Sequence, residues 1–232
     1  MVGLLLAGAV AFFWLRSTDV FDIRVVAVVG ADHVTQGQIA ALTSGVMGES
    51  LLSASTDAIE EALLALPYVE AAHVHRGFPN SLEIELVESR PVARLRTDTG
   101  GIWLVSDSGR VLEDADAAGV LDLPVLVLER SLSVSPGQRL PAVVTDMLPL
   151  AASLQSGDIQ ARLPGLEEIA ISAAGYAALL LEGGGEVRLG SADGIEGKLA
   201  VALDIVEQCL AAGKVIEYVD ASVVGRIAVK AK

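Results

Sequence analysis

From position 82 to 86 the chain reads Leu82, Glu83, Ile84, Glu85, Leu86, a strict alternation of branched apolar and acidic side chains. A period of two puts the apolar set on one face of a strand and the glutamates on the other. A helix would scatter both sets around its surface. This stretch therefore belongs to a sheet with one dry face and one wet face. Val69 to Arg76 is a second strand, joined to the first by Gly77-Phe78-Pro79-Asn80-Ser81, whose Pro-Asn pair shapes a hairpin. His73 and His75 are two apart and share one face. The wet side of the hairpin, opposite Glu83 and Glu85, accounts for them as cross-strand partners.

The residues upstream complete a unit. Ile23 to Val29 is a β-branched run ended by Gly30, hence a strand. Thr35 and Gln38 have capping-box spacing, and Ile39 to Leu42 gives a short helix that Gly45 and Gly48 terminate. Asp57 to Glu60 is a second capping-box candidate. Ile59, Leu63 and Leu66 then line one helical face until Pro67 stops it. Ser53, Ser55 and Thr56 sit at that helix start, where capping explains them. The order over residues 20–90 is β-α-α-β-β.

Before this unit, Met1 to Leu15 carries no charge, and Phe12, Phe13 and Trp14 meet Arg16 as an aromatic belt meets a membrane interface. A cleaved signal would begin with Lys or Arg and end in small residues. The expectation for residues 1–16 is the outer part of a transmembrane anchor, shorter than the roughly 20 residues of a full span.

Residues 91–232 read as a larger sheet unit. Ile102 to Val105, Asp107-Ser108-Gly109 and Arg110 to Leu112 form a hairpin, and Leu123 to Leu128 another strand. Ala142 to Leu154 has helical periodicity, with Pro149 against an unbroken helix. Leu166 to Ile171, Tyr176 to Leu181 and Glu186 to Leu189 are strands, the last two joined through Gly183-Gly184-Gly185. Ile195 to Ala212 is the longest helix, closed by Gly213; Leu199, Leu203, Val206 and Leu210 form its stripe, with Cys209 at the border. Val215 to Asp220 and Ile227 to Lys230 are terminal strands. Pro91, without an amide donor, suits a strand edge or a domain junction.

Charge and motifs exclude several kinds of activity. The net charge of −14 repels nucleic-acid backbones, and no Lys/Arg cluster offsets it. One cysteine forms neither an internal disulfide nor a redox pair. GxGxxG, P-loop, HExxH and GxSxG patterns are absent from the sequence. The glycine triplet lies between strands and reads as a turn. Glu60-Glu61 and Glu167-Glu168 are adjacent pairs that do not converge on one point. His73 and His75 lack a third ligand nearby in sequence, so no metal, cofactor or catalytic residue is assigned.

The run Pro67-Tyr68-Val69-Glu70-Ala71-Ala72-His73-Val74-His75-Arg76, with Phe78-Pro79-Asn80-Ser81-Leu82-Glu83-Ile84 and Glu88-Ser89-Arg90-Pro91-Val92-Ala93, resembles the POTRA module of the FtsQ/DivIB family. Phe21-Asp22-Ile23 with Val26, Val28 and Gly30 matches its first strand. Trp103, Gly109, Leu123-Pro124, Tyr218-Val219-Asp220 and Gly225 to Lys230 resemble that family's β-domain. The family usually continues Tyr-Val-Asp with Leu-Arg; here Ala221-Ser222 follow, so contacts of that arginine are not carried over.

The resemblance implies an α+β protein: an N-terminal transmembrane helix, a POTRA domain, and a larger mixed β-sheet domain with helices on one face. It implies a non-enzymatic divisome scaffold in the cell membrane, with its N-terminus inside and its bulk extracytoplasmic at the division septum. Its partners would be FtsB- and FtsL-like proteins, bound by β-strand addition at a C-terminal edge within Ala221 to Lys230. Other division proteins would bind through POTRA. Tyr218, Val219, Asp220, Gly225 and Arg226 are the implied partner-binding residues, with Tyr218 as anchor. Rival readings are a POTRA protein of outer-membrane assembly or secretion, and an anchored envelope hydrolase. The first usually has tandem modules and a barrel; the second needs a catalytic set that is not found here.

Overall fold

The computed structural model describes residues 19–98, 100–118, 122–223 and 225–232. The anchor expected at residues 1–16 lies outside them. No described helix is long and apolar enough to cross a membrane. The chain divides into two compact units between Ser89 and Arg90.

In the first unit a 3₁₀ turn, Asp19–Phe21, leads into β1 (Val25–Val29), α1 (Gln36–Thr43), α2 (Thr56–Leu64), β2 (Val69–Gly77) and β3 (Ser81–Glu88). The sheet order is β1-β3-β2, with β1 parallel and β2 antiparallel to β3. His73 stands opposite Glu85 and His75 opposite Glu83, on the wet face. Leu82, Ile84 and Leu86 face inward, and the first two are fully buried. Thr35 caps α1 through the full capping box with Gln38.

Three local expectations give way here. The strand begins at Val25, because Ile23 leaves the β1 line to bond across to Glu49 and Gly48 and is 1% exposed. The cap of α2 is Ser55, whose hydroxyl accepts from the Ala58 amide, so Asp57 sits inside the first turn. Glu60 instead reaches the outer side of β2, where its carboxylate accepts from the Val74 amide at 2.7 Å. The helix ends at Leu64, before Leu66 and Pro67.

The second unit contains β4 (Pro91–Arg96), β5 (Ile102–Ser106), β6 (Val111–Asp114), α3 (Ala115–Ala118), β7 (Val125–Leu128), α4 (Ala142–Thr145), α5 (Leu148–Leu154), α6 (Gly157–Arg162), β8 (Leu166–Ile171), β9 (Ala177–Leu181), β10 (Gly185–Gly190), α7 (Ile195–Ala211), β11 (Ile216–Val223) and β12 (Arg226–Ala231). Its mixed sheet runs β12-β11-β10-β9-β8-β7-β4-β5-β6. Leu95, Leu126, Ile169, Leu179, Val187 and Val219 face the helices and pack with Leu150 and Leu154 of α5 and Leu199, Leu203 and Val206 of α7. Each such side chain contributes about 1.5–3 kcal/mol of burial.

Pro149 falls in the first turn of α5, where its missing amide costs nothing, and the expected 142–154 helix is accordingly two helices. At the end of α7, Gly213 takes φ +69°. The Lys214 amide bonds to Cys209 and the Gly213 amide to Leu210, closing a Schellman turn. Cys209 is half-buried against the core, whereas Leu210, expected in the stripe, is 44% exposed. The terminal strands expected at 215–220 and 227–230 are β11 and β12, and the stretch Ala221 to Lys230 comprises the end of β11, a turn and most of β12.

Candidate partner-binding edge

The nine-stranded sheet ends at β12, which every neighbour but β11 leaves open. Lys232 and Val215 exchange both backbone bonds at 2.8 and 2.9 Å, which sets the alternation along the antiparallel pair. Val229 opposite Val219 is then a non-hydrogen-bonded pair. The amides and carbonyls of Ile227, Val229 and Ala231 consequently face away from β11 and lie free for another strand.

The side chains tell the same story. Arg226 to Lys230 are all exposed. Ile227 and Val229 share the face that Val219 presents to the helices, yet they remain 39% and 44% exposed. Alternating apolar residues normally meet a cover, and none lies over these two among the described residues. Val223 and, on α7, Val201 add exposed apolar surface beside them. A groove bounded by Val201, Ala221, Val223 and Ile227 lies between α7 and this end of the sheet.

Tyr218 is half-buried in β11, one strand in from the edge, opposite Lys230 on β12 and Glu186 on β10. The Arg188 guanidinium lies 5.1 Å from its ring centroid. Glu186 in turn accepts from Arg188 at 2.7 Å, and that bond raises the arginine further above its usual range. Val219 is fully buried, so its side chain serves the core. Asp220 accepts from the hydroxyl and amide of Ser222 at 2.6 and 3.0 Å, and these bonds hold its carboxyl below the usual value. Gly225, at φ +78°, turns the chain from β11 into β12, and Arg226 opens the edge strand opposite Val223. Tyr218 and Asp220 thus share the outer face of the sheet, while Gly225 and Arg226 lie at the edge turn.

Sequence reading missed Glu217 and Lys230, whose cross-strand pair pulls the carboxyl down and the ammonium up and ties the edge strand to its neighbour. It also missed Arg188 over Tyr218. The polar alternation of β10 and β12 was the available signal. Elsewhere, no three His, Cys, Asp or Glu side chains converge on a point that could hold a metal ion among the described residues. The glycine triplet makes the β9–β10 turn.

Two family descriptions match the chain in succession: "POTRA domain, FtsQ-type" over residues 21–89, and "Cell division protein FtsQ/DivIB, C-terminal" over residues 93–222. Strand β12 follows the second span. The chain is 32% identical over 197 residues to the cell division protein FtsQ of Anaeromyxobacter sp. (strain K), covering 84% of this chain and 66% of that one. Against FtsQ of Myxococcus fulvus it is 28% identical, with 82% and 66% covered. Against FtsQ of Chloroflexus aurantiacus it is 32% identical, with 62% and 51% covered. The chain thus matches no more than about two thirds of the length of these relatives.

Proposed function

Because the chain belongs to the FtsQ/DivIB family of cell division proteins, we propose that it is a non-enzymatic scaffold of the bacterial divisome. In this reading residues 1–16 belong to a membrane anchor with the N-terminus inside. Residues 20–90 and 91–232 act outside the cytoplasm at the septum. The β12 edge takes a strand from an FtsB-like protein paired with an FtsL-like one. Tyr218, Asp220, Gly225 and Arg226 flank that contact, and Val219 supports it from the core.

The observation that carries this reading is the open edge of β12, with its free backbone groups beside uncovered Ile227 and Val229. Strand addition satisfies such groups and covers such side chains together. The edge of β1 in the first unit, with Val25 52% and Val29 69% exposed, is assigned to other division proteins.

The test is a titration of the full chain with the extracytoplasmic segments of the host's own FtsB- and FtsL-like proteins. Val229→Pro deletes an amide that faces outward and leaves the β11–β12 bonds in place. Binding should weaken at least about tenfold, from the lost bond and the clash of the ring with an added strand. Unchanged affinity in a folded variant would refute strand addition at β12.

A further inference from the structure

Exposed apolar side chains gather at one end of the first unit, and it is the end at which the chain enters. Val25 opens β1 opposite Ser81, the first residue of β3, and Ser81 stands opposite Gly77, the last of β2. The turn between β2 and β3 therefore lies beside the start of β1. From there β3 runs to Glu88 at the other end of the sheet, where the chain leaves the unit. Phe78, in the turn, is 66% exposed, Val20 59% and Val25 52%. Single bare apolar residues are ordinary on a protein surface, but a group of them at one place marks a contact.

The turn is held to the entering segment. The Phe78 ring meets Phe21 edge to face, with centroids 6.3 Å apart and planes at 84°. The Arg24 and Val25 amides donate to the Asn80 carbonyl at 2.9 and 3.4 Å, and the Ser81 hydroxyl donates to the Gly77 carbonyl at 2.7 Å. The Arg24 guanidinium donates to the Asp19 carbonyl at 3.1 Å and closes the segment on itself. Phe78 is thus presented on a fixed turn.

The sequence supplies the location. The uncharged run ends at Leu15, four residues before Asp19. Fully extended, those four steps span no more than about 14 Å. Where residues 1–16 are an anchor, the Phe21–Phe78 pair is held near the level at which the anchor leaves the hydrocarbon, where aromatic side chains concentrate. The net charge of −14 gives no electrostatic attraction to anionic lipid, so what draws this end to a bilayer is its apolar surface. Asp19 is exposed, which keeps such a contact shallow.

We propose that the turn between β2 and β3 is a membrane contact, in which the Phe78 ring rests in the headgroup layer of the bilayer that holds the anchor. The inference rests on the anchor reading of residues 1–16. A second attachment, on a turn bonded to the segment that follows the anchor, restricts the tilt of the first unit and keeps the entry end of its sheet toward the lipid.

The test reconstitutes the full chain in phosphatidylcholine vesicles, with a nitroxide at Phe78→Cys, Asn80→Cys or Glu70→Cys, each in a Cys209→Ala background. Glu70 is exposed and lies on β2 seven residues from Gly77, about 23 Å away. Flotation reports attachment. Collisions of the label with oxygen, which concentrates in lipid, and with a nickel chelate, which stays in water, report its surroundings. Nickel collisions should be at least about threefold fewer at 78 and 80 than at 70, with oxygen collisions more frequent. Phe78→Asp should reopen the label at 80 to nickel.

Vesicles that float without the chain overturn the anchor reading, and the contact falls with it. A chain that floats with the labels at 78 and 70 equally open to nickel overturns the contact alone. Exclusion of both quenchers at 78 does the same, because protein and not lipid then covers the turn. A label at 80 that stays shielded in Phe78→Asp also defeats the inference, since the ring is then not what holds the turn at the bilayer.

Discussion

Glu88→Gln is the sharpest test of how the first unit holds its loop. The Glu88 side chain is 7% exposed. It accepts from the amides of Asp32, His33 and Val34 at 3.1, 2.8 and 2.9 Å and faces the His33 ring nitrogen at 2.9 Å. The His33 ring stacks on Tyr68 at 4.3 Å. Burial raises the carboxyl, but the bonds from Val34, His33, the His33 ring and Asp32 together bring it below 4.5. Asp32 and Val34 share one carboxylate oxygen, and the two His33 contacts share the other. Glutamine keeps one oxygen and turns an NH₂ toward at least one backbone amide donor, whichever way it is placed.

Hydrogen bonds to charged groups are worth about 1.5–3 kcal/mol each and do not add fully, so the substitution should cost about 3 kcal/mol. That is a large share of the roughly 5–15 kcal/mol typical of a domain. Residue-resolved hydrogen exchange and urea unfolding of the full chain read it. The Asp32, His33 and Val34 amides should exchange at least about tenfold faster, and the first unit should unfold at lower urea. The sign with pH follows from the lowered carboxyl. Its contribution is complete above pH 4.5 and is lost as pH falls through the depressed folded value. Protection in the wild type should therefore drop on acidification, while the glutamine variant stays flat there. Equal urea midpoints and equal exchange would refute the clamp.

Gly30→Ala should destabilise the first unit by more than about 1 kcal/mol, because φ is +81° and a Cβ would sit 2.1 Å from the Leu86 carbonyl oxygen; a melt of the variant measures it. Leu126→Ala, at a fully buried position of β7, should cost about 2–5 kcal/mol in urea unfolding of the second unit. Tyr218→Ala should weaken partner binding by about 1–3 kcal/mol in the same titration used for β12, and undiminished affinity in a folded variant would reject the residue as an anchor.

Local pattern was enough for whatever is decided within a few residues. The period of two at Leu82 to Leu86 fixes which side of β3 is dry, because one step along a strand reverses the side chain. Thr35 with Gln38, and Gly213 after α7, mark helix ends by bonds that close inside one turn. The paired histidines and glutamates of β2 and β3 follow from a short hairpin. What depends on distant partners was not legible. Pro91 read as a strand edge or a domain junction, and it opens β4 just after the boundary between the two units, but nothing local told that β4 lies between β7 and β5. Its parallel pairing of Leu95 with Leu126 spans a long stretch of chain. Glu88 looked like the last polar residue of a strand until the fold brought it to amides more than 50 positions away. Lys198 belongs by composition on the surface, and Ile227 and Val229 by alternation under a cover. Packing alone decides that the lysine is buried and the two apolar residues are bare, since burial depends on which elements the whole chain assembles around each position.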